Sequence, residues 1–126
     1  MCSISRIIIL ITMTLFLFLQ LKDADANDRG FINYDGDTFR ATFRVAGVDT
    51  PEIKGKCEYE RKLAEEARNY TMKFLSGNEV TITKVGVDKY GRVLAKVFNK
   101  NESLADALIK NGLGRPWKGR REQWCP

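Results

Sequence analysis

Apolar positions along the chain fall into blocks with different periods, and each period implies a different element. Ile7 to Leu19 is an apolar run broken only by Thr12 and Thr14. A spanning helix needs about 20 residues, so this run is short for one. Arg6 precedes it, and the small-residue site Ala24-Asp25-Ala26 follows. That order is the pattern of a Sec-type export signal cleaved after Ala26. An uncleaved N-terminal anchor is the other reading. On the first reading, residues 1–26 are a signal peptide and residues 27–126 form one secreted or periplasmic domain with no stable membrane span after cleavage.

Beyond residue 30 the blocks are shorter. Phe31 to Tyr34 is β-prone and is ended by the turn signal Asp35-Gly36-Asp37. Thr38 to Val48 is rich in Thr, Phe and Val and predicts extended chain with a tight reversal near Arg40-Ala41. Pro51 breaks it, because proline removes a backbone donor and restricts Thr50. Leu63, Ala67, Tyr70 and Phe74 then recur on one helical face. They predict a helix from Glu58 to Leu75, stopped at Ser76-Gly77, with Glu60, Arg61, Glu65 and Arg68 largely away from the apolar side.

Glu79 to Val85 alternates, setting Val80 and Ile82 against Thr81 and Thr83, and predicts a strand. Asp88 to Arg92 is a turn and Val93 to Phe98 the next strand. Ser103, with Asp106 three residues on, opens a second helix carrying Leu104, Ala105, Leu108 and Ile109; Asn111-Gly112 ends it. Strands, helix, strands, helix fit a small β-barrel with packed helices, with an open α+β sandwich as the alternative.

Composition narrows the chemistry. The chain of 126 residues has 21 Lys and Arg, 16 Asp and Glu, and no histidine. His-based triads, proton shuttles and His-containing zinc sites are therefore excluded. Three cysteines are too few for a Cys₄ zinc site, and no Gly-rich phosphate loop is present. The net charge of +5 is unchanged by loss of residues 1–26, which carry Arg6 and Lys22 against Asp23 and Asp25. A basic body of this size favours a polyanionic partner. Cys57 and Cys125 remain as an even pair in an oxidising compartment, which suggests a disulfide, with two free thiols as the alternative.

The acids Asp35, Asp37, Asp49 and Glu52 lie at strand ends or in the turns beside them, and Asp49-x-x-Glu52 around Pro51 can hold two carboxylates near each other. Such hard oxygen ligands suit Ca²⁺ or Mg²⁺, although Asp-Gly-Asp and Asp-Thr-Pro also form turns without a metal. Arg44 and Arg92 sit at β runs and carry the rigid fork that suits phosphate oxygens; surface ion pairs are the other reading. A dication, a carboxylate base and two guanidinium groups make a coherent set for phosphodiester hydrolysis.

Asp35-Gly36-Asp37-Thr38, then Phe43-Arg44-Val45 with Val48-Asp49-Thr50-Pro51-Glu52, then Asp88-Lys89-Tyr90-Gly91-Arg92 resemble the three ordered signatures of the thermonuclease, or staphylococcal-nuclease-like, family. Leu104 to Gly112 is similar to that family's helix after the last barrel strand. Gly55-Lys56-Cys57 and Arg115 to Cys125 are similar to short, exported bacterial members. The resemblance implies an α+β, mainly β fold: a five-stranded OB-fold barrel with two to three packed helices. It implies Ca²⁺-dependent endonucleolytic hydrolysis of DNA and RNA that leaves 3′-phosphate ends. No protein partner is implied, and a monomer is expected.

Carried onto these positions, Asp37, Asp49 and the Thr50 carbonyl hold Ca²⁺, with Asp35 behind them. Glu52 is the general base, and Arg44 and Arg92 grip the scissile phosphate. Lys89 and Tyr90 contact the nucleotide. Read on its own residues, the basic tail of Arg115, Lys118, Arg120 and Arg121 suits the nucleic-acid backbone beside Trp117, which stacks a base or packs the tail. Cys57 and Cys125 staple the tail to the helix entrance. One departure is that only five residues separate Thr38 from Arg44, so the first hairpin is tight or differently paired. The competing functional class is a non-catalytic nucleic-acid-binding OB-fold module.

Overall fold

The computed structural model describes residues 31–77, 79–100 and 102–126. The signal segment expected at 1–26 lies outside the described residues. In chain order the elements are β1 (Phe31–Asn33), β2 (Phe39–Ala41), β3 (Phe43–Val45), β4 (Val48–Asp49), α1 (Glu58–Leu75), β5 (Val80–Val87), β6 (Val93–Asn99), β7 (Glu102–Ser103), α2 (Leu104–Lys110) and β8 (Arg115–Pro116). No helix among the described residues is long and apolar enough to cross a membrane.

The β1–β2 ribbon turns at the Asp-Gly-Asp segment, where the N–H groups of Tyr34 and Asp35 both donate to the Thr38 carbonyl. This corrects the reversal expected near Arg40-Ala41. Those two residues instead pair with Ile32 and Phe31 in the antiparallel ribbon. The five residues between Thr38 and Arg44 thus form a bent strand run rather than a hairpin, with Thr42 alone separating β2 from β3. The Thr42 carbonyl accepts the Val93 N–H at 2.8 Å, carrying the run onto the next strand.

That next strand is central. β6 pairs in parallel with β3 and antiparallel with β5, and takes β7 along the same chain. Its alternation is clean, with Val93, Ala95 and Val97 buried. The alternation read into β5 does not become burial, since Ile82 stays 44% exposed. A separate antiparallel ribbon joins β4 to β8, with Val48 opposite Pro116 and Asp49 opposite Arg115. Gly114 makes that contact feasible: a Cβ there would meet Val48 Cγ2 at 2.6 Å.

Helix α1 has the bounds its apolar spacing predicts. Glu58 and Glu60 in the first turn and Lys73 in the last complement the helix dipole. Glu60 departs from expectation. It is buried with Ala64, Ala67 and Phe74, because it continues their i, i+4, i+7 stripe back to the first turn. Ser103 caps α2 by accepting the Asp106 N–H at 3.4 Å. The core joins Ala67 and Phe74 of α1, Val97 of β6, and Leu104, Ala107 and Leu108 of α2, with Val48 and Leu113. Full burial of side chains such as Leu104 and Leu108 contributes roughly 1.5–3 kcal/mol each. This core fixes β4, and the segment that follows it, against the C-terminal tail.

Candidate active site

Arg44, Asp49 and Glu52 are presented by one stretch of chain: β3, the turn at Gly47, β4, and the loop after Pro51. Arg44 is half-buried, and its guanidinium lies 4.5 Å from the centre of the Trp117 ring. The Trp117 N–H donates to the Gly47 carbonyl at 3.0 Å, which fixes the ring beside the turn. Trp117, 38% exposed, therefore packs on Arg44 while keeping part of its surface open to solvent.

Asp49 is buried, at 2% exposure. A buried carboxylate is costly without partners, and the tail supplies them. Asp49 Oδ2 accepts the Glu122 N–H at 3.0 Å and the Trp124 Nε1–H at 3.1 Å. Oδ1 faces the Arg121 guanidinium at 3.9 Å. The Arg115 guanidinium lies 4.0 Å from the Trp124 ring centre. It also donates to the Gln123 carbonyl at 2.8 Å. Cys57 and Cys125 are bonded to each other, with Cα atoms 5.9 Å apart, so the tail is clipped to the entrance of α1.

Glu52 is exposed and is ion-paired with Arg121 Nη1. Its N–H donates to Glu60 Oε1 at 3.2 Å, and the Lys56 N–H donates to Glu60 Oε2 at 3.2 Å. Arg121 Nη2 reaches Glu60 Oε1 at 3.3 Å. One guanidinium thus faces three carboxylates. Gly55 lets the loop close down, since a Cβ there would lie 2.6 Å from the Glu60 side chain.

Arg92 is set at the start of β6 by Asp88. Its Nε–H donates to Asp88 Oδ2 at 2.6 Å, while the N–H groups of Arg92 and Tyr90 donate to Oδ1. Desolvation opposes the Asp88 charge, but these donors and the guanidinium charge outweigh it and hold the carboxyl below its ordinary range. Tyr90 is 73% exposed, with the Arg92 guanidinium 5.5 Å and Lys89 Nζ 5.1 Å from its ring centre. A groove of about 270 Å³ runs from Phe31 and Ile32 to Tyr90 and Arg92.

Asp35 and Asp37 occupy the exposed β1–β2 turn. The Asp37 N–H donates to Asp35 Oδ1 at 3.3 Å, and Asp37 Oδ1 accepts the Thr38 hydroxyl at 2.9 Å. Hydrogen bonding with the Asp37 side chain, then with the Thr38 side chain, lowers the Asp35 pKa. Among the described residues, one set of three Cys, Asp or Glu ligand atoms lies within 4.8 Å, namely Cys57, Glu60 and Cys125. With the two sulfurs bonded to each other, that set has no thiolate to offer a metal. Asp37 and Asp49 do not join a third acid in such a set. Lys118 and Arg120 are exposed on the tail, whereas Arg121 turns towards the carboxylates. By sequence Glu60 belongs with the helix charges away from the apolar side and Arg121 with the backbone-binding cations; the structure instead buries Glu60 and turns Arg121 onto it.

Residues 42–123 match the family described as staphylococcal nuclease homologue. The chain is 33% identical over 90 residues to the thermonuclease of Staphylococcus hyicus, which covers 70% of this chain and 53% of that protein. It is 31% identical over 75 residues to the probable endonuclease LCL3 of Clavispora lusitaniae, covering 56% of this chain and 32% of that one. It is 32% identical over 69 residues to the probable staphylococcal-like nuclease CAN3 of Oryza sativa subsp. japonica, covering 55% of this chain and 17% of that one. The chain thus spans about half or less of each of these relatives.

Proposed function

The chain belongs to the staphylococcal nuclease family and has its OB-fold, and from that premise we propose that it is an exported, Ca²⁺-dependent endonuclease. Its substrates are DNA and RNA, cleaved to leave 3′-phosphate ends. The observation that carries this reading is the convergence of Asp49 and Glu52 on the Arg121 guanidinium, with Arg44 in the strand before them.

By residue type the donors suit a hard cation, although the described structure does not gather Asp37 with Asp49. Asp37 and Asp49 offer carboxylates and Thr50 a carbonyl, the oxygen ligands Ca²⁺ takes. These residues would hold the ion, with Asp35 supporting Asp37. When bound, Ca²⁺ supplies charge that offsets the negative phosphate oxygens in the transition state.

The chain's own residues do the rest. Glu52 accepts a proton from the attacking water. Arg44, backed by Trp117, and Arg92, backed by Asp88, grip the scissile phosphate through paired N–H donors. Lys89 and Tyr90 line the approach to Arg92, where an exposed ring gives a base a stacking surface. Arg115, Trp117 and Lys118 carry the strand along the tail. The protein acts as a secreted or periplasmic monomer after cleavage following Ala26, with the Cys57–Cys125 disulfide formed there.

The test is digestion of plasmid and single-stranded DNA with Ca²⁺ and with chelator, beside Glu52→Ala. Ca²⁺-dependent cleavage that disappears in the variant supports the reading. Folded protein that binds nucleic acid but leaves it intact under every divalent metal makes it the binding module instead.

A further inference from the structure

We propose that Glu60 and Arg121 are positioning residues that fix Glu52 for its role as base; the proposal rests on the nuclease reading. The difficulty they resolve is a physical one. The Glu52 side chain is 55% exposed on an irregular loop. A glutamate in that setting samples many rotamers, and a base misplaced by about 1 Å can cost about 10²-fold in rate.

The structure closes a ring around it. Glu60 Oε1 accepts the Glu52 N–H at 3.2 Å and Arg121 Nη2–H at 3.3 Å, while Arg121 Nη1 returns to Glu52 Oε1. Both ends of Glu52, backbone and carboxylate, are thereby referred to one buried group. The Glu60 side chain is 8% exposed and sits in the first turn of α1, a rigid element. Its second oxygen accepts the Lys56 N–H at 3.2 Å, so a single carboxylate anchors residues 52 and 56 together. Arg121 arrives across 69 residues of sequence. It is held in place by the neighbouring Glu122 and Trp124 bonds to Asp49 and by the Cys57–Cys125 link. A planar fork reaches two carboxylates at once in a fixed geometry, which a lysine ammonium does less well.

Two measurements test this. The first is a kinetic cycle of wild type, Arg121→Gln, Glu52→Gln and the double variant on a single-stranded oligonucleotide with Ca²⁺, with Arg121→Lys alongside. Arg121→Gln is expected to lower kcat about 10- to 100-fold with KM within about twofold, and Arg121→Lys to recover part of the loss. In the Glu52→Gln background the Arg121 change is expected to have no further effect, which a general structural role would not produce. Unchanged or raised kcat in Arg121→Gln, or equal losses in both backgrounds, would overturn the proposal.

The second is amide hydrogen exchange in wild type and Glu60→Gln. Glutamine has one carbonyl oxygen where Glu60 uses two acceptors, so either the Glu52 or the Lys56 amide must lose its partner. One of the two is expected to exchange at least about tenfold faster. Both amides unprotected in wild type, or both unchanged in the variant, would remove the ring. Because exchange needs no activity, an inactive wild type defeats the nuclease reading and leaves the ring to be judged by exchange. Should Glu60→Gln not fold, wild-type protection at Glu52 and Lys56 and the Arg121 variants still decide.

Discussion

Trp124 Nε1 donates to Asp49 Oδ2 at 3.1 Å across 75 residues of sequence, and both groups are buried. The indole therefore does two things: it fills space at the end of the tail and it supplies one of the donors that make a buried carboxylate tolerable. Replacing Trp124 by Phe keeps most of the first role and removes the second. Leaving Asp49 short of a donor is expected to lower stability by about 1–3 kcal/mol, read as a drop in the urea midpoint at unchanged m-value.

Cys57 and Cys125 enclose a sequence separation of 68 residues. In the chain-entropy account, opening a loop of that length removes about 4 kcal/mol, less if the reduced chain keeps structure. Dithiothreitol is expected to lower the melting temperature of the wild type and to leave a Cys57→Ser, Cys125→Ser double variant unchanged. Equal melting curves for oxidised and reduced wild type would show that the link contributes nothing.

Trp117 lies 4.5 Å from the Arg44 guanidinium and keeps 38% of its surface exposed. On the proposed role of Arg44 at the phosphate, an aromatic packed on its guanidinium acts mainly in binding. Trp117→Ala is expected to raise KM for single-stranded DNA about tenfold, within the 1–3 kcal/mol of a stacking contact. An unchanged KM would return Trp117 to simple tail packing.

Asp88 titrates below the ordinary carboxylate range in the folded state, as its donors outweigh desolvation. A depressed folded pKa stabilises the fold above the unfolded value, near pH 4, and that stability is lost as pH falls through the lower folded value. Asp88→Asn is expected to flatten the loss of stability on acidification below about pH 4 and, on the proposed role of Arg92 at the phosphate, to raise KM at neutral pH. Thermal scans between pH 2.5 and 7 give the first effect, and KM the second.

Local chemistry was legible where a single element decides it. The spacing of Leu63, Ala67, Tyr70 and Phe74 gives α1 its observed bounds, and Ser103 caps α2 as read. Two of the three motif blocks that suggested the family, Phe43 to Glu52 and Asp88 to Arg92, also carry Arg44, Asp49, Glu52 and Arg92. The reversal was misplaced at Arg40-Ala41 because a Thr- and Phe-rich run does not announce which partner it will pair with, and β1 was that partner. Glu60 and the inward turn of Arg121 were not legible. A glutamate in a helix and an arginine in a basic tail look solvated until a contact 61 residues away joins them.

The β4–β8 ribbon ties residues 48–49 to residues 115–116, and this has a consequence for the order of folding. The β5–β6 hairpin and the two helices are built from near neighbours in sequence and can form early. Asp49, Glu52 and Glu60 acquire their tail partners only after the long loop between them has closed, a slow step by topology. A collapsed chain with most of its secondary structure in place is therefore expected to lack the tail contacts of Asp49, Glu52 and Glu60. On the proposed function, activity is expected to appear later in refolding than the bulk of the secondary structure, read by stopped-flow circular dichroism beside a cleavage assay.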